Sequence, residues 1–321
     1  MHIRGLKALL PLPLLFIMFC AEAASVVASD KVVSLFEAEQ YQATIEEADR
    51  VLETDPDNSE VLNIKALAVY VLGDDRTAIH LVTQALEAAK QNGQASIAQQ
   101  ATYWNNLGYF HERQRNLEIA LGYYDKALKM RLTVLAADDL QIADSYNNIG
   151  TAQSKLGRYE EGFENLRKNI ALRKRLGEHD ASVATALNNL GNAYNVQGNH
   201  KAALPLFQQA LDIDMALRGP NHPTVAIRWN NLGDAYRGLG QYDKAEAFLT
   251  KALNSDRATF GENHPKVILR YFNLARVYEA QGDTAKARDA YTKALQLLRQ
   301  VDPDDAAQIR YFEEKLRTLE G

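Results

Sequence analysis

Two sets of residues in this chain are placed for polar chemistry. Paired asparagines recur as NNLG at 105–108, 188–191 and 230–233, with NNIG at 147–150. A carboxamide carries both donor and acceptor, so it can take a peptide unit in two hydrogen bonds. A row of such amides suits the backbone of an extended segment, whatever its side chains. The second set is the His-Pro pair in GPNHPTVA (219–226) and GENHPKVI (261–268). Histidine can ligate a metal, but no HExxH spacing or Cys/His cluster accompanies these two. Pro223 and Pro265 instead suit a first helical position, where the missing N–H costs nothing. That puts His222 and His264 at the N-cap, the place Asp139 and Asp180 take in earlier segments. There is no G-x-S-x-G, no phosphate loop, and no pair of carboxylates singled out from the charged surface. The chain is therefore not expected to be an enzyme, and neither a cofactor nor a metal is implied.

The 321 residues are 46% hydrophobic and 24% charged, with a formal charge of −5, ordinary values for globular protein. Acidic and basic residues are mixed throughout, so no nucleic-acid partner and no basic membrane patch are expected. Residues 1–23 carry a short basic start (Arg4, Lys7), an apolar run from Ala8 to Ala21 and the small-x-small site Ala21-Glu22-Ala23. These are the three parts of a secretory signal peptide, cut after Ala23 or one residue later. The run falls short of the roughly 20 residues that span a bilayer, so no stable membrane insertion is expected once the signal is removed. Cys20, the single cysteine, follows Phe19 rather than the small residue that a lipid-bearing cysteine follows. The mature chain is thus expected to be exported, periplasmic or secreted, with no disulfide.

Repetition sets the architecture. Ala66, Gly108, Gly150, Gly191, Gly233 and Ala275 are spaced by 42, 42, 41, 42 and 42 residues. Twelve residues after each stands another small residue: Ala78, Ala120, Gly162, Ala203, Ala245 and Ala287. Seven further on are Ala85, Ala127, Ala210, Ala252 and Ala294, with Asn169 the exception. Large residues fill the gaps: Trp104, Tyr146, Leu187, Trp229 and Tyr271 four before the first small residue, and Tyr124, Leu166, Phe207, Leu249 and Tyr291 sixteen after it. Spacings of three, four and seven mark apolar stripes on two helices. Between them Gly73, Gly157, Gly198, Gly240 and Gly282 share the position of a left-handed helix-closing residue, with Arg115 the exception. Each segment is predicted to be a helix–turn–helix hairpin.

The pattern W-x2-L-G, then Ala, a large residue and Ala, resembles the tetratricopeptide repeat (TPR), normally 34 residues long. The 42-residue period with GxxHPxVA loops is similar to the kinesin-light-chain subgroup. A 34-residue unit precedes, with Tyr41, Thr44, Ala48, Val51 and Pro56 in register. The resemblance implies an all-α, right-handed superhelical solenoid of about seven repeats. These run from about 25–58 through 59–100, 101–142, 143–183, 184–225 and 226–267 to 268–301. The segment 302–321, with Ile309, Phe312, Leu316 and Leu319 in one stripe, is predicted to be a capping helix.

The resemblance also implies that the first helix of each repeat lines a concave groove, with positions 2, 5, 6, 9, 12 and 13 reaching into it. Position 5 holds Asn63, Asn105, Asn147, Asn188 and Asn230; position 6 holds Asn106, Asn148, Asn189, Asn231 and Asn273. Tyr109, Asn192, Asp234 and Arg276 fall at position 9, and Asn195 and Arg237 at position 12. Asn in a helix interior costs roughly 0.6 kcal/mol against Ala, so ten of them call for an offset. Ligand contact is expected at position 5, and a lock between repeats at position 6, nearer the seam. The groove lacks the Lys and Arg with which chaperone-type repeats clamp a terminal carboxylate. The basic run RKNIALRKR (167–175) falls on a second helix, where it reads as a solvated face. The expected function is a non-catalytic scaffold of an exported compartment that holds an extended peptide segment of a partner protein. A structural assembly factor using its outer face is the main alternative; an enzyme or small-molecule binder is the remote one.

Overall fold

The computed structural model describes residues 26–93, 95–176 and 181–319. The segment read as a signal peptide, with Cys20, lies outside the described residues, as does Asp180. Among the described residues there are fifteen helices and no strand. They are α1 (Val26–Glu37), α2 (Tyr41–Thr54), α3 (Ser59–Val71), α4 (Asp75–Asn92), α5 (Ile97–Arg113), α6 (Leu117–Val134), α7 (Leu140–Lys155) and α8 (Tyr159–Leu176). There follow α9 (Ala181–Gln197), α10 (His200–Arg218), α11 (Pro223–Gly238), α12 (Tyr242–Phe260), α13 (Pro265–Gln281), α14 (Thr284–Val301) and α15 (Ala306–Thr318). Each odd-numbered helix up to α13 forms a hairpin with the helix that follows it, and α15 is added at the end.

The extra residues of the long repeat are spent on both helices. In α1–α2 and α3 the helices have 12, 14 and 13 residues; α10 and α12 have 19, and α5, α9 and α13 have 17. As a result α5, α7, α9, α11 and α13 begin three or four residues ahead of the repeat starts predicted at 101, 143, 184, 226 and 268. The caps explain where they begin. Ser96 and Gln99 form a reciprocal capping box at α5, and Asp139 accepts from the Gln141 N–H at α7. His222 and His264 accept through Nδ1 from the N–H of Thr224 and Lys266, both at 3.2 Å. The predicted N-cap histidines are thus in place, each followed by proline at N1.

The turn inside each hairpin is closed in the left-handed region by Gly73, Gly157, Gly198, Gly240 and Gly282. Arg115, the exception in sequence, takes the same conformation at φ 66°, and Glu39 does so in the first hairpin at φ 58°. The turn geometry therefore prevails over the side chain's preference. Where the two helices of a hairpin cross, small residues are obligatory: a Cβ on Gly150 would lie 2.8 Å from the Gly162 carbonyl oxygen.

By compactness the chain divides into a unit ending at Leu172 and a unit beginning at Arg173. In the first, Phe36, Val51, Ile64, Leu67, Tyr70, Leu81, Val82 and Phe110 belong to one continuous core. In the second, Leu249, Val267, Phe272, Tyr291, Leu298 and Phe312 belong to another. Ile309, Leu316 and Leu319 pack against that second core, which gives α15 the covering role predicted from its stripe.

The seams between hairpins carry groups that the apolar pattern did not reveal. In the second unit Asp214 of α10 accepts from Arg228 Nε of α11 at 2.9 Å, with both side chains buried (1% and 6% exposed). One repeat later Asp256 and Arg270 make the same bond at 2.9 Å (1% and 3%). In the first unit Arg131 of α6 stands in the register of these aspartates and Ser145 of α7 in that of the arginines. Arg131 Nη1 donates to Ser145 Oγ at 2.8 Å and to the Gln141 carbonyl at 3.0 Å, and its buried Nε has no partner. Burial pulls its guanidinium down to about 10, against the opposing field of Asp144 and Asp139.

Candidate functional site: an amide relay on the first helices

The paired asparagines form directional hydrogen-bond chains. In the second unit Asn273 Nδ2 donates to Asn230 Oδ1 at 2.7 Å. Asn230 Nδ2 in turn donates to Asn231 Oδ1 at 3.4 Å, and Asn231 Nδ2 to Asn188 Oδ1 at 2.7 Å. In the first unit Asn169 donates to Asn147 (3.3 Å), Asn147 to Asn148 (3.3 Å) and Asn148 to Asn105 (3.0 Å). A separate bond runs from Asn106 to Asn63 at 2.8 Å, and Asn106 Oδ1 is buried with no partner. In each of these four amide bonds between repeats, a position-6 amide donates to the position-5 carbonyl of the preceding repeat. Amides aligned in one sense polarise one another, and the chain gains accordingly.

This pattern divides the predicted roles differently from the sequence reading. Position 6 is the donor of the inter-repeat lock, as its place near the seam implies. Position 5 is the acceptor of the same lock, so it too contributes to the seam. Asn63 and Asn188 are buried (6% and 5% exposed), whereas Asn105, Asn147, Asn148, Asn189, Asn230 and Asn231 are half-buried. Asn169, which breaks the small-residue column, is 1% exposed and has become a member of the chain. Nothing in the repeat consensus marks that addition.

Beyond the amides, the second unit gathers three of the predicted residues around the carboxylate of a fourth, Asp234. Asp234 accepts from Arg237 Nη2 (2.8 Å) and Nε (3.0 Å) and from Asn195 Nδ2 (2.8 Å), with Arg276 Nη1 at 3.6 Å. Burial pushes the Asp234 carboxyl up, but Arg237, Arg276 and the Asn195 amide outweigh it and leave the group below its ordinary value. His200 Nδ1 and Asn195 Oδ1 lie 2.6 Å apart, which joins the start of α10 to the cluster. Asn192 and Tyr109 are half-buried on α9 and α5, and Tyr109 lies edge-on to Tyr70 at 5.5 Å. Position 12 has a further use that the sequence reading did not single out. Glu112 accepts from Tyr124 Oη of its own hairpin (2.7 Å) and from Lys155 of the next (2.6 Å). Glu279 repeats this with Tyr291 and Lys315, both at 2.7 Å.

The basic run on α8 is mixed in character: Lys174 and Arg175 are exposed, while Arg173 and Asn169 are buried. Among the described residues no group of three or more His, Cys, Asp or Glu side chains is arranged to hold a metal ion. No described helix is long and apolar enough to cross a membrane.

Comparison with known proteins agrees with the hairpin architecture. The family model described as "Tetratricopeptide repeat" matches residues 99–175, 141–216, 182–258 and 229–300 in overlapping registers. Human tetratricopeptide repeat protein 29 is 28% identical over 142 residues, 44% of this chain but only 29% of the relative's length. Among solved structures, BtubC (BKLC) from P. vanneervenii is 23% identical with a TM-score of 0.58, covering 73% of this chain and 93% of that one. A Podosopora anserina protein with nearly identical TPR-like repeats of the kinesin-light-chain kind is 19% identical with a TM-score of 0.56 (66% and 100% covered). A tetratricopeptide repeat protein from Parabacteroides merdae is 15% identical with a TM-score of 0.62 (92% and 98%). The family match spans well over half of the sequence, and the chain belongs to the tetratricopeptide repeat family.

Proposed function

We propose that this chain is a non-catalytic scaffold that holds an extended segment of a partner protein on the amide-bearing faces of its first helices, in an exported compartment. Tetratricopeptide repeat proteins typically mediate protein–protein interaction, and that scaffold is the starting point. The observation that carries the reading is the amide relay. Asn105, Asn148, Asn230 and Asn231 are each held by a neighbouring amide, yet a carboxamide offers two donors and two acceptor lone pairs, so the bonds within the relay leave capacity for a ligand. Pre-oriented polar groups bind at a lower entropic cost than mobile ones. Asn192, Asn195, Arg237 and Arg276 in the second unit, and Tyr109 in the first, set preference among side chains. The export reading rests on the tripartite pattern of residues 1–23.

The test uses full-length protein recovered from the cell envelope, its first residue read by N-terminal sequencing, on an array of random extended peptides. The expected N-terminus is Ala24 or Ser25; an intact Met1 overturns the export reading. Asn192→Ala with Arg237→Ala is expected to lower peptide capture at least tenfold while the melting temperature stays within a few degrees. Unchanged capture in a folded variant sinks the proposal. Asn188 is unsuited to this test, because its removal orphans the buried end of the relay.

A further inference from the structure

An open cavity of about 400 Å³ lies on the α9–α10 hairpin, with the end of α8 at its edge. Its apolar wall is Val183 and Leu187 of α9 with Ile213 and Leu217 of α10; Lys174 and Asp212 bring charge to it. That volume is near the lower end for small-molecule sites, about 300–1,000 Å³, and suits one ring system rather than a large cofactor.

The repeat register says why the cavity is here. Leu187 stands in the column that holds Trp104, Tyr146, Trp229 and Tyr271 in the other long repeats. Gln209, another lining residue, stands in the column of Lys126, Lys168 and Lys251. In the α5–α6 and α7–α8 hairpins, where both columns are filled, they form a ring-and-cation pair. Lys126 Nζ sits 3.5 Å from the Trp104 ring centroid, with Tyr123 stacked on the same indole at 5.5 Å. Lys168 lies 5.6 Å over Tyr146, and Lys251 lies 5.4 Å over Phe248, which joins Trp229 in one cluster. In the α9–α10 hairpin the ring is replaced by a leucine and the cation by an amide, and the space stays open. Leu62 is the other leucine of the column, but the helix preceding its hairpin, α2, has 14 residues against 18 in α8, so no counterpart of Lys174 reaches it.

We propose that this cavity is a pocket for one aromatic side chain, an indole above all, carried by an extended segment of a partner protein. The incoming ring takes the place that Trp104 fills from within in the α5–α6 hairpin. Lys174 supplies the cation for the ring face, and the Asp212 carboxylate, whose Oδ1 already accepts from Gln208 at 2.8 Å, is the acceptor for the indole N–H. No relay asparagine lines the pocket, which is therefore separate from the amide relay.

The experiment is calorimetric titration of the full chain with the capped peptide Gly-Gly-Trp-Gly-Gly, its Trp→Ala counterpart and free indole. The Trp peptide is expected to bind at least tenfold more tightly than the Ala peptide and more tightly than indole. Leu187→Trp, which fills the pocket in the manner of the sister repeats, is expected to abolish binding without lowering the melting temperature. Ala216→Trp, on the exposed side of α10 at the same cavity, is expected to do the same without touching the core. Lys174→Gln is expected to weaken binding severalfold. Binding that survives both tryptophan substitutions, or equal affinity for the Trp and Ala peptides, overturns the proposal. So does free indole binding as tightly as the peptide, which would make this a small-molecule pocket. Loss of relay binding by Asn192→Ala with Arg237→Ala leaves this result untouched, so the two readings fail separately.

Discussion

The α6–α7 seam of the first unit and the α10–α11 and α12–α13 seams of the second solve one packing problem with different charges. At matching positions the second unit buries an aspartate against the arginine of the next hairpin, whereas the first unit buries Arg131 against a serine and a carbonyl. A buried pair is nearly neutral in net worth, yet removing one partner strands the other. The second unit has therefore acquired mutual dependence at its seams, while the first holds a charge whose removal strands very little. The lesson is that nearly identical repeats can differ in how much each seam depends on a single residue.

The largest expected effect tests that difference directly. Asp256→Ala should cost the second unit about 3–5 kcal/mol, because it leaves Arg270 buried and uncompensated. Arg131→Met should be neutral or slightly stabilising in the first unit, since Ser145 Oγ still bonds the Gln141 carbonyl. Native-state hydrogen exchange of α13 and α7 amides reads the two effects separately, and equal losses would dissolve the comparison.

A smaller contrast lies in the turns. The second unit closes its hairpins with glycine at Gly198, Gly240 and Gly282, whereas the first uses Glu39 and Arg115 at two of its turns. Arg115→Gly is predicted to stabilise the first unit by about 0.5–1 kcal/mol, and Gly240→Ala to destabilise the second by about 1 kcal/mol. Urea unfolding followed by exchange in α6 and α12 checks both signs; a loss on Arg115→Gly would show that its side chain earns more than its backbone costs.

The smallest effect is a pH dependence of the two histidine caps in the second unit. His222 and His264 cap α11 and α13 through an unprotonated Nδ1, so protonation removes the acceptor. Burial depresses both imidazoles below the ordinary value of 6.5, reinforced by Arg218 and Lys266 at His222 and by Lys266 at His264; Asp214 and Asp256 oppose. The unfolded chain therefore takes up protons first. Stability is full above 6.5 and declines as pH falls from there toward the depressed folded values. A melting-temperature loss on the order of 1–2 °C between pH 7.5 and 5.5 is expected, reduced in the His222→Asn, His264→Asn variant, because asparagine caps at either pH. The first unit, capped at α7 by Asp139, should show no such loss at the start of α7; α5 is no control, because burial also depresses the His111 imidazole on it.

Much of this molecule could be read without coordinates because the repeat writes each packing rule several times. Gly150 and Gly162, the glycine turns, the N-cap histidines and the α15 stripe each depend on local geometry or on spacing along one helix. The seam pairs escaped because Asp214 and Arg228 lie 14 residues apart on different helices, and a charged residue in a helix ordinarily signals solvent. The site was half legible. The asparagine columns stand out in the alignment of repeats, but their bonds join residues 43 apart, and the donor–acceptor sense depends on how one hairpin is rotated on the next.

The sequence by itself thus determined the hairpins, their number and the columns of small and large residues, because helix periodicity, capping and turn closure act over a few neighbouring residues. Tertiary structure alone decided which amide oxygen is spent on the seam, which charges are buried as pairs and where Leu187 leaves a ring-sized space. Those outcomes depend on distances between helices of different repeats, and no local preference of the chain encodes them.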